Sequence, residues 1–269
     1  MKTYRRALTI AGSDSGGGAG IQADLKTFSA IGCFGLSVVT ALTAQNTVAV
    51  TAIHPVPPEF ITHQLDAVLT DIGVDAVKIG MLHSPEVIQA VAEALRRHAV
   101  PNIVLDPVMV AKSGDKLLQD DAVAALKSYL VPMAAVITPN LPEAGVLLGC
   151  DVTTEKEMAA ACRDLAQLGC RAVLLKGGHL DGAQSPDLLY VGGTKAPIRL
   201  EADRIDTPNS HGTGCTLSSA TAANLALGQP IEAAVREAKR YVLQALAAGA
   251  GYSLGQGHGP VHHFHAFWD

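Results

Sequence analysis

The sequence predicts an α/β fold in which helices cover both faces of a mostly parallel central sheet. Short apolar runs alternate along the chain with longer Ala- and Leu-rich segments that have the spacing of helices. This alternation is typical of repeated βα units. The predicted strands are apolar along their whole length, as are strands of a sheet that is covered on both faces. Glycine-rich and polar clusters follow several of these strands, at the edge where open α/β sheets bind their ligands.

The predicted elements account for most of the chain. Strands are expected at residues 7–11, 77–80, 103–108, 135–138 and 172–175. Helices are expected at residues 20–31, 58–69, 85–97, 120–130 and 155–168, followed by two Ala-rich helices at 217–227 and 231–248. No linker, internal repeat or charge run divides them, so we expect a single domain over residues 1–269.

The composition excludes several classes of protein. Of the 269 residues, 48% are hydrophobic and 17% are charged, which is typical of a globular protein. The net charge is −5 and the basic residues are scattered, so we expect no nucleic-acid partner. No apolar stretch approaches the ~18–20 residues of a membrane span, and the N-terminus lacks the pattern of a signal peptide. The five cysteines include no C-x-x-C pair, which favours a reducing cytoplasm over a disulfide framework or a zinc site.

Residues 12–20 form a glycine-rich cluster directly after the first predicted strand. The cluster lacks the G-x-G-x-x-G spacing of dinucleotide-binding loops, because Ile21 and Ala23 stand where a third glycine is needed. The chain also has no Walker A sequence. A nicotinamide oxidoreductase is therefore disfavoured, and a nucleotide would have to be bound by another architecture. The alternative is that these glycines serve only a tight turn between strand and helix.

A second glycine motif, Ser-His-Gly-Thr-Gly-Cys-Thr, spans residues 210–216 and opens an Ala-rich helix. The backbone N–H groups and the dipole of a helix N-terminus suit a phosphoryl group in transfer. Cys215 lies in the first turn, where we expect the helix to lower the pKa of its thiol so that it can accept a proton. A plain N-cap and a buried structural cysteine are the alternatives.

Polar residues at three further strand ends suggest a site for phosphate and metal. Asp106 ends a predicted strand, while Asn140 and Glu143 begin a helix. Carboxylates hold Mg²⁺ against nucleotide phosphates, usually through water, so Asp106 and Glu143 are candidate metal ligands. Lys176 ends the strand at residues 172–175 and would neutralise phosphate charge. Taken singly, each of these residues is more often a solvated side chain or a helix cap.

With these motifs the chain resembles the hydroxymethylpyrimidine/phosphomethylpyrimidine kinases of the ribokinase-like superfamily. The resemblance covers nearly the whole chain and is carried by residues 8–14, 17–24, 40–47, 78–82, 138–143, 176–179, 211–216 and 259–265. It implies a ribokinase-like three-layer α/β/α sandwich around a mostly parallel central sheet. It also implies two Mg²⁺-dependent phosphoryl transfers from ATP in thiamine biosynthesis, first to hydroxymethylpyrimidine and then to its monophosphate. A homodimer with these small-molecule partners is expected.

The resemblance assigns five residues to the pyrimidine. Gln45 is implied to hydrogen-bond the aminopyrimidine edge, for which an amide offers both a donor and an acceptor. Asp24 is implied to lie near the hydroxymethyl group, and Gly12 also belongs to the substrate site. Met81 and Val108 are expected to line the apolar faces of the ring.

The resemblance assigns a second set of residues to the phosphates and the metal. Gly212, Gly214 and Cys215 are implied to form the anion hole and the base. The implied nucleotide-binding residues are Asn140, Glu143, Lys176 and Thr213, with Asp106 and Glu143 at the metal. Most ribokinase-like sugar kinases have Asp at the position of Cys215, which argues against a sugar substrate.

Two other functions remain open at this stage. Some pyridoxal kinases share the Gly-Thr-Gly-Cys arrangement, so a pyridoxine or pyridoxal kinase of vitamin B6 salvage is the first alternative. A pyrimidine-binding regulator without catalysis is the second, although Cys215, Glu143 and Lys176 are all present. The C-terminal histidines at positions 258, 262, 263 and 265 could suggest a metal site, but no Cys or carboxylate joins them, and we assign them no role.

Overall fold

The computed structural model of the protein describes residues 2–109, 120–180 and 182–268. Its strands are β1 (Arg6–Asp14), β2 (Phe34–Gln45), β3 (Val50–Pro55), β4 (Ala76–Ile79), β5 (Ile103–Leu105), β6 (Val136–Ile137), β7 (Ala172–Leu175), β8 (Asp187–Val191) and β9 (Ile198–Leu200). Its α-helices are α1 (Gly20–Ile31), α2 (Pro58–Asp71), α3 (Pro85–Arg97), α4 (Asp120–Ala125), α5 (Leu141–Leu148), α6 (Glu155–Ala166), α7 (Thr213–Ala226) and α8 (Ile231–Gly249). A π-helical turn at Leu126–Leu130 and a 3₁₀ turn at Val131–Met133 continue α4.

The described strands form one sheet in the order β3-β2-β1-β4-β5-β6-β7-β8-β9. The six central strands pair in parallel, in the order β2, β1, β4, β5, β6 and β7. Strand β3 is added antiparallel at one edge, and β8 and β9 are added antiparallel at the other. The predicted fold class is therefore confirmed. Because the parallel strands all end at the same edge, the loops that follow β1, β4, β5, β6 and β7 meet there.

Helices cover both faces of this sheet. In β7, Val173 and Leu175 face the layer that contains α2, α3, α5 and α6, whereas Ala172 and Leu174 face the layer of α1, α7 and α8. Both sets of side chains are fully buried, which explains why the strands are apolar along their whole length rather than alternating.

Helix α7 is the most buried helix of the second layer. All of its residues from 216 to 226 are buried, and most of them are Ala, Ser or Thr. Such small side chains let the helix axis approach the sheet closely while α1 and α8 pack against its other sides. The hydroxyl of Ser218 is thereby brought to the carboxylate of Asp106 after β5, and that of Ser219 to the carboxylate of Asp24 in α1.

Several predicted elements have the observed bounds, and others do not. The limits of α1, α3 and β7 are those expected from the sequence. Helix α7 begins at Thr213 rather than at residue 217, because Gly212 takes a left-handed conformation that ends the preceding loop. Strands β2, β3, β8 and β9 were not predicted. None of the described helices is long and apolar enough to cross a membrane.

Candidate active site

A cavity of about 940 Å³ opens at the carboxyl ends of the parallel strands. It is lined by polar and glycine residues that follow five separate strands, together with the first turn of α7. The predicted site residues that line it are Gly12, Gln45, Met81, Asp106, Val108, Asn140, Glu143, Lys176, Gly212, Thr213, Gly214 and Cys215. Of the residues assigned from the sequence, only Asp24 does not line this cavity.

One end of the cavity is built around an ion pair between Lys176 and Asp106. The Lys176 Nζ lies 3.0 Å from Asp106 Oδ1 and 3.9 Å from Glu143 Oε2. Asp106 also accepts hydrogen bonds from Thr138 Oγ1 at 3.0 Å and from Ser218 Oγ at 3.4 Å. Burial disfavours the charge on Lys176, but the neighbouring carboxylates outweigh it and raise the pKa of Lys176. The site therefore holds a fixed positive charge.

The two carboxylates at this end differ in their ionisation. Burial opposes the charge of Asp106, but the nearby lysines hold the pKa of this carboxyl below its usual value. Burial raises the pKa of Glu143 to about 7, the charge of Asp106 adds to this effect, and Lys176 opposes it. At neutral pH Asp106 is thus the firmly ionised carboxylate, and Glu143 can gain or lose a proton.

Asn140 and Glu143 form a capping box at the start of α5. The Glu143 N–H donates to Asn140 Oδ1 at 2.8 Å, and the Asn140 N–H donates to Glu143 Oε2 at 2.8 Å. The sequence could be read as either a cap or a nucleotide site, and the structure places the cap itself on the cavity wall. Among the described residues, no group of three or more His, Cys, Asp or Glu is placed so that it could hold a metal ion.

The first turn of α7 faces the ion pair. Gly212 has φ +81°, and a Cβ on it would lie 1.9 Å from the carbonyl oxygen of Gly18. A Cβ on Gly214 would lie 3.4 Å from Lys176 Nζ and 3.7 Å from Asp106 Oδ2. The N–H groups of Gly214 and Cys215 lie in a turn where the helix supplies no acceptor. Glycine thus brings the helix N-terminus close both to the lysine and to the loop after β1.

Cys215 lines the cavity, but the expectation of a lowered thiol pKa is wrong. Burial raises the pKa of Cys215, and the charges of Asp24 and Asp106 add to this effect. Lys78 and an N–H group of Gly20 act in the opposite direction without outweighing it. The helix N-terminus alone suggested a thiolate, because the sequence revealed neither the burial of the thiol nor the two carboxylates nearby.

We therefore expect Cys215 to react very slowly with iodoacetamide at neutral pH. The rate of iodoacetamide addition to Cys215 should still be rising with pH above the ordinary thiol pKa of 9.0, because burial and carboxylates favour the protonated form. Peptide mass spectrometry measures this rate, with the exposed Cys150 as the reference thiol in the same sample. A Cys215 rate that reached its plateau near pH 7 would contradict the expectation.

The other end of the cavity suits a small aromatic ring. A Cβ on Gly12 would lie 2.7 Å from Met81 Cε, so the absence of a side chain at Gly12 makes room for the methionine. Val108 adds a second apolar side chain. Gln45 ends β2, with its side-chain amide 3.2 Å from Thr43 Oγ1 and 3.4 Å from the Nε2 of His211. Gly12, Met81 and Val108 thus line an apolar slot in this cavity. Gln45 ends β2 and Lys176 follows β7, so the two side chains lie at opposite sides of the parallel part of the sheet.

Asp24 lies in α1 and is fully buried. Its carboxylate accepts hydrogen bonds from Lys78 Nζ at 2.8 and 3.0 Å, from Thr9 Oγ1 at 2.6 Å and from Ser219 Oγ at 2.5 Å. Lys78, which has no exposed surface in its side chain, lines the cavity instead. The carboxylate of Asp24 thus holds Lys78 in place rather than lining the cavity, and its assignment to the substrate site stays a prediction.

Three residues that line the cavity, Lys78, Asp14 and His211, have no role in the sequence-based prediction. Lys78 could have been noticed as a lysine inside an apolar strand, where a charge is rare unless it is paired. Asp14 and His211 lie 197 positions apart, and their side chains meet at 2.9 Å. No local pattern predicts that contact.

The C-terminal histidines do not gather around a common point. His263 Nε2 lies 3.1 Å from the hydroxyl of Thr216, and burial lowers the pKa of His263 to about 3. His262 stacks edge-on against Tyr252, and His265 packs against Tyr241. These contacts fasten the C-terminal segment to α7 and α8.

Comparison with known proteins gives the family of this chain. A sequence model of the family described as phosphomethylpyrimidine kinase matches residues 14–262. The chain belongs to this family. A hydroxymethylpyrimidine/phosphomethylpyrimidine kinase of Rhizobium meliloti is 55% identical over 263 residues, which are 97% of this chain and 98% of that relative. The resemblance drawn from the sequence is confirmed.

Solved structures of the same fold include a pyridoxal kinase and a phosphomethylpyrimidine kinase. A crystal structure of Bacillus subtilis pyridoxal kinase in complex with ADP has a TM-score of 0.91 and 38% identity, with 99% of this chain and 100% of that chain covered. A crystal structure of phosphomethylpyrimidine kinase from Clostridium difficile has a TM-score of 0.79 and 46% identity, with 90% of this chain and 99% of that chain covered. These similarities confirm the ribokinase-like fold.

Proposed function

We propose that this chain is an ATP-dependent kinase that phosphorylates 4-amino-5-hydroxymethyl-2-methylpyrimidine and then its monophosphate, in thiamine biosynthesis. One observation supports the proposal most directly. The same cavity has an apolar slot with an amide at one end and a lysine–aspartate pair beside a helix N-terminus at the other. The first end suits an aminopyrimidine, and the second end suits the phosphoryl group that is transferred to it.

In the proposed reaction, the hydroxymethyl oxygen forms a bond with the γ-phosphorus of ATP while the bond to the β–γ bridging oxygen breaks. The N–H groups of Gly214 and Cys215 and the ammonium of Lys176 stabilise the charge on the transferred group. Cys215 in its thiolate form would take the hydroxyl proton. Because the pKa of this thiol is raised, positioning and electrostatics contribute more than the base does, as a loose transition state allows.

Mg²⁺ fits the carboxylates at this end of the cavity. Mg²⁺ keeps several waters and takes one or two carboxylates together with substrate phosphates, so a site without a complete protein ligand set is suitable. Asp106 and Glu143 would hold the ion, which neutralises phosphate charge when bound. The proposal further includes Asn140 and Thr213 at the nucleotide, a single domain over residues 1–269, and a cytoplasmic homodimer.

The proposal is tested by ADP release with Mg·ATP in parallel assays on hydroxymethylpyrimidine, its monophosphate and pyridoxal. Turnover of both pyrimidines, with pyridoxal slow, is expected. Preference for pyridoxal would indicate a pyridoxal kinase of vitamin B6 salvage that uses the same phosphoryl-transfer site. This second candidate function is favoured by the similarity to a pyridoxal kinase over nearly the whole chain. ATP-dependent turnover of none of the three would favour a binding protein without catalysis.

Replacing Gln45 with alanine should raise the KM for hydroxymethylpyrimidine about 10- to 100-fold. The amide supplies hydrogen bonds to the ring edge, and their loss leaves polar groups of the substrate unpaired. The KM for ATP should change less than about twofold, since Gln45 lies at the opposite end of the cavity from Lys176. Steady-state kinetics with each substrate varied in turn measures both values, and an unchanged pyrimidine KM would remove Gln45 from the proposed pocket.

A further inference from the structure

We propose that Lys78 is a positioning residue for Cys215, and that its buried ammonium stabilises the thiolate that takes the proton of the substrate hydroxyl. The inference rests on the proposed function, because it concerns the first of the two proposed phosphoryl transfers. The side chain of Lys78 lies in the wall of the cavity and has no exposed surface. It therefore acts on the reaction through its neighbour and does not bind the substrate itself.

The ammonium of Lys78 lies toward the carboxyl end of β4. Lys78 shares with Ala76 the face of β4 that α7 covers, and Gly80, two residues later, continues that face. A Cβ on Gly80 would lie 2.8 Å from Lys78 Nζ, so the ammonium occupies the space that a side chain at Gly80 would need. The N–H of Gly80 donates to the Ile10 carbonyl at 2.9 Å. The charge is thus placed at the edge of the sheet where the cavity opens.

Asp24 holds this ammonium in place. Its two carboxylate oxygens lie 3.0 and 2.8 Å from Lys78 Nζ, and neither side chain is exposed. Thr9 and Ser219 donate to the same carboxylate at 2.6 and 2.5 Å. Burial opposes the charge of Lys78, but Asp24 outweighs it and the pKa of Lys78 is raised. Lys78 therefore stays a cation over the pH range of an enzyme assay.

One face of the first turns of α7 meets the other ion pair of the site. Gly214 and Ser218 are four residues apart and lie on the same side of the helix. A Cβ on Gly214 would lie 3.4 Å from Lys176 Nζ, and Ser218 Oγ lies 3.4 Å from Asp106 Oδ2. This side of α7 is therefore directed toward the pair of Lys176 and Asp106.

The adjacent face of α7 meets the pair of Lys78 and Asp24. Cys215 and Ser219 are also four residues apart, so their side chains lie one above the other. The hydroxyl of Ser219 donates to Asp24 Oδ1 at 2.5 Å, which fixes the direction of this face. Helix geometry thus directs the Cys215 thiol toward Lys78, one turn nearer to the cavity than Ser219.

Charged side chains from several elements act on this thiol. They are Asp24 from α1, Lys78 from β4, Asp106 after β5 and Lys176 after β7. Burial has the largest influence and raises the pKa of Cys215. Among the charges, Lys78 has the strongest effect and favours the thiolate, whereas Asp24 and Asp106 favour the thiol. Loss of Lys78 should therefore leave less thiolate at any given pH.

The two substrates of the proposed function need a base to different degrees. The hydroxymethyl oxygen carries a proton, which passes to the thiolate while the oxygen bonds to the γ-phosphorus and the electron pair of the breaking bond leaves with ADP. A phosphate monoester has a second pKa of about 6, so at pH 8 the attacking oxygen of the monophosphate is already ionised. Lys78 should therefore matter for the first transfer and hardly for the second.

The test measures kcat of Lys78→Met for hydroxymethylpyrimidine and for its monophosphate at pH 8. The kcat for the alcohol should fall about tenfold, and its rise with pH should lie about one pH unit higher than in wild type. The kcat for the monophosphate should stay within about twofold, and each pyrimidine KM within about threefold. Ser219→Ala is the matched control, because it removes a hydrogen bond to Asp24 and keeps both charges.

A merely structural role of Lys78 would give a different result. It would lower kcat for the alcohol and the monophosphate alike, and the unchanged ratio would overturn the proposal. An alcohol kcat with the same pH dependence in Lys78→Met and wild type would overturn it as well. In Ser219→Ala the ratio of the two kcat values should stay within about twofold of wild type.

Alkylation of Cys215 tests the inference without any catalysis. At pH 9 the iodoacetamide rate of Cys215 should fall at least about fivefold in Lys78→Met, measured against the exposed Cys150 in the same sample. A loosened α7 would instead expose the thiol, so an unchanged or faster rate would overturn the inference. If wild type phosphorylates no pyrimidine but Lys78→Met still slows alkylation, the proposed function fails and the role of Lys78 beside the thiol stands.

A second variant keeps the test decisive if Lys78→Met does not fold. Lys78→Met leaves the buried charge of Asp24 unpaired, whereas Lys78→Met/Asp24→Asn removes both charges and should cost less stability. Cys215 should still react at least about twofold more slowly in the double variant than in wild type, because Lys78 acts on the thiol more strongly than Asp24 does. A rate at or above that of wild type would contradict the proposal.

Discussion

Replacing Lys176 with methionine is expected to lower kcat about 10²- to 10³-fold while the KM for the pyrimidine stays within about threefold. The ammonium is paired with Asp106 and lies beside the first turn of α7, where the transferred phosphoryl group would carry its charge. Removing one such preorganised donor typically costs about 3–4 kcal/mol in the transition state. The pyrimidine slot lies at the other end of the cavity and keeps its contacts. Steady-state kinetics with hydroxymethylpyrimidine and saturating ATP measures both parameters.

The same variant should also be less stable. Without Lys176 the buried Asp106 keeps Thr138 and Ser218 but loses its closest positive charge, and breaking a buried pair costs roughly 3 kcal/mol of the free energy of unfolding. Urea unfolding measures this loss. Lys156→Met on the exposed side of α6 is the matched control, with kcat and stability expected at wild-type values. A Lys176→Met enzyme with wild-type kcat would remove the lysine from the proposed transfer step.

The parallel core of the fold could be predicted from the sequence because its signal is local. Strand β7 is apolar on both faces, helix α1 is bounded by glycines, and helix α3 is amphipathic. The limits of all three could therefore be derived from neighbouring residues alone. The edge strands gave no such signal. All residues of β3 after Val50 are exposed, and its pairing with β2 depends on contacts that periodicity does not encode.

The candidate site was predicted in outline for a similar reason. Its polar residues follow strands, and parallel strands end at one edge, so their convergence follows from the fold class. What the sequence could not supply was the environment of each group. The direction of the Cys215 pKa shift depends on burial and on the charges of Asp24 and Asp106, which are distant in sequence. The role of Asp24 in α1 depends on Lys78 in β4. The contact between Asp14 and His211 joins residues that are 197 positions apart in the sequence.

The close approach between the loop after β1 and the start of α7 predicts a large effect of one methyl group. Gly212→Ala places a Cβ 1.9 Å from the carbonyl oxygen of Gly18 on a backbone with φ +81°, so the loop and the helix must move apart. The left-handed conformation alone costs roughly 1–2 kcal/mol for alanine. Separating the two segments moves the N–H groups of α7 away from the substrate, and kcat/KM should fall at least about 10²-fold.

A matched control separates the clash from the backbone strain. Gly228 has a similar φ of +87° but nothing within 4 Å of an added Cβ, so Gly228→Ala imposes the strain without the clash. We expect Gly228→Ala to lose about 1 kcal/mol in urea unfolding and to keep wild-type kcat/KM, whereas Gly212→Ala loses about 2–4 kcal/mol together with its activity. If both variants lost the same stability and kept their activity, the site would not depend on this close approach. A selective loss in Gly212→Ala would place the contact with Gly18 among the features that catalysis requires.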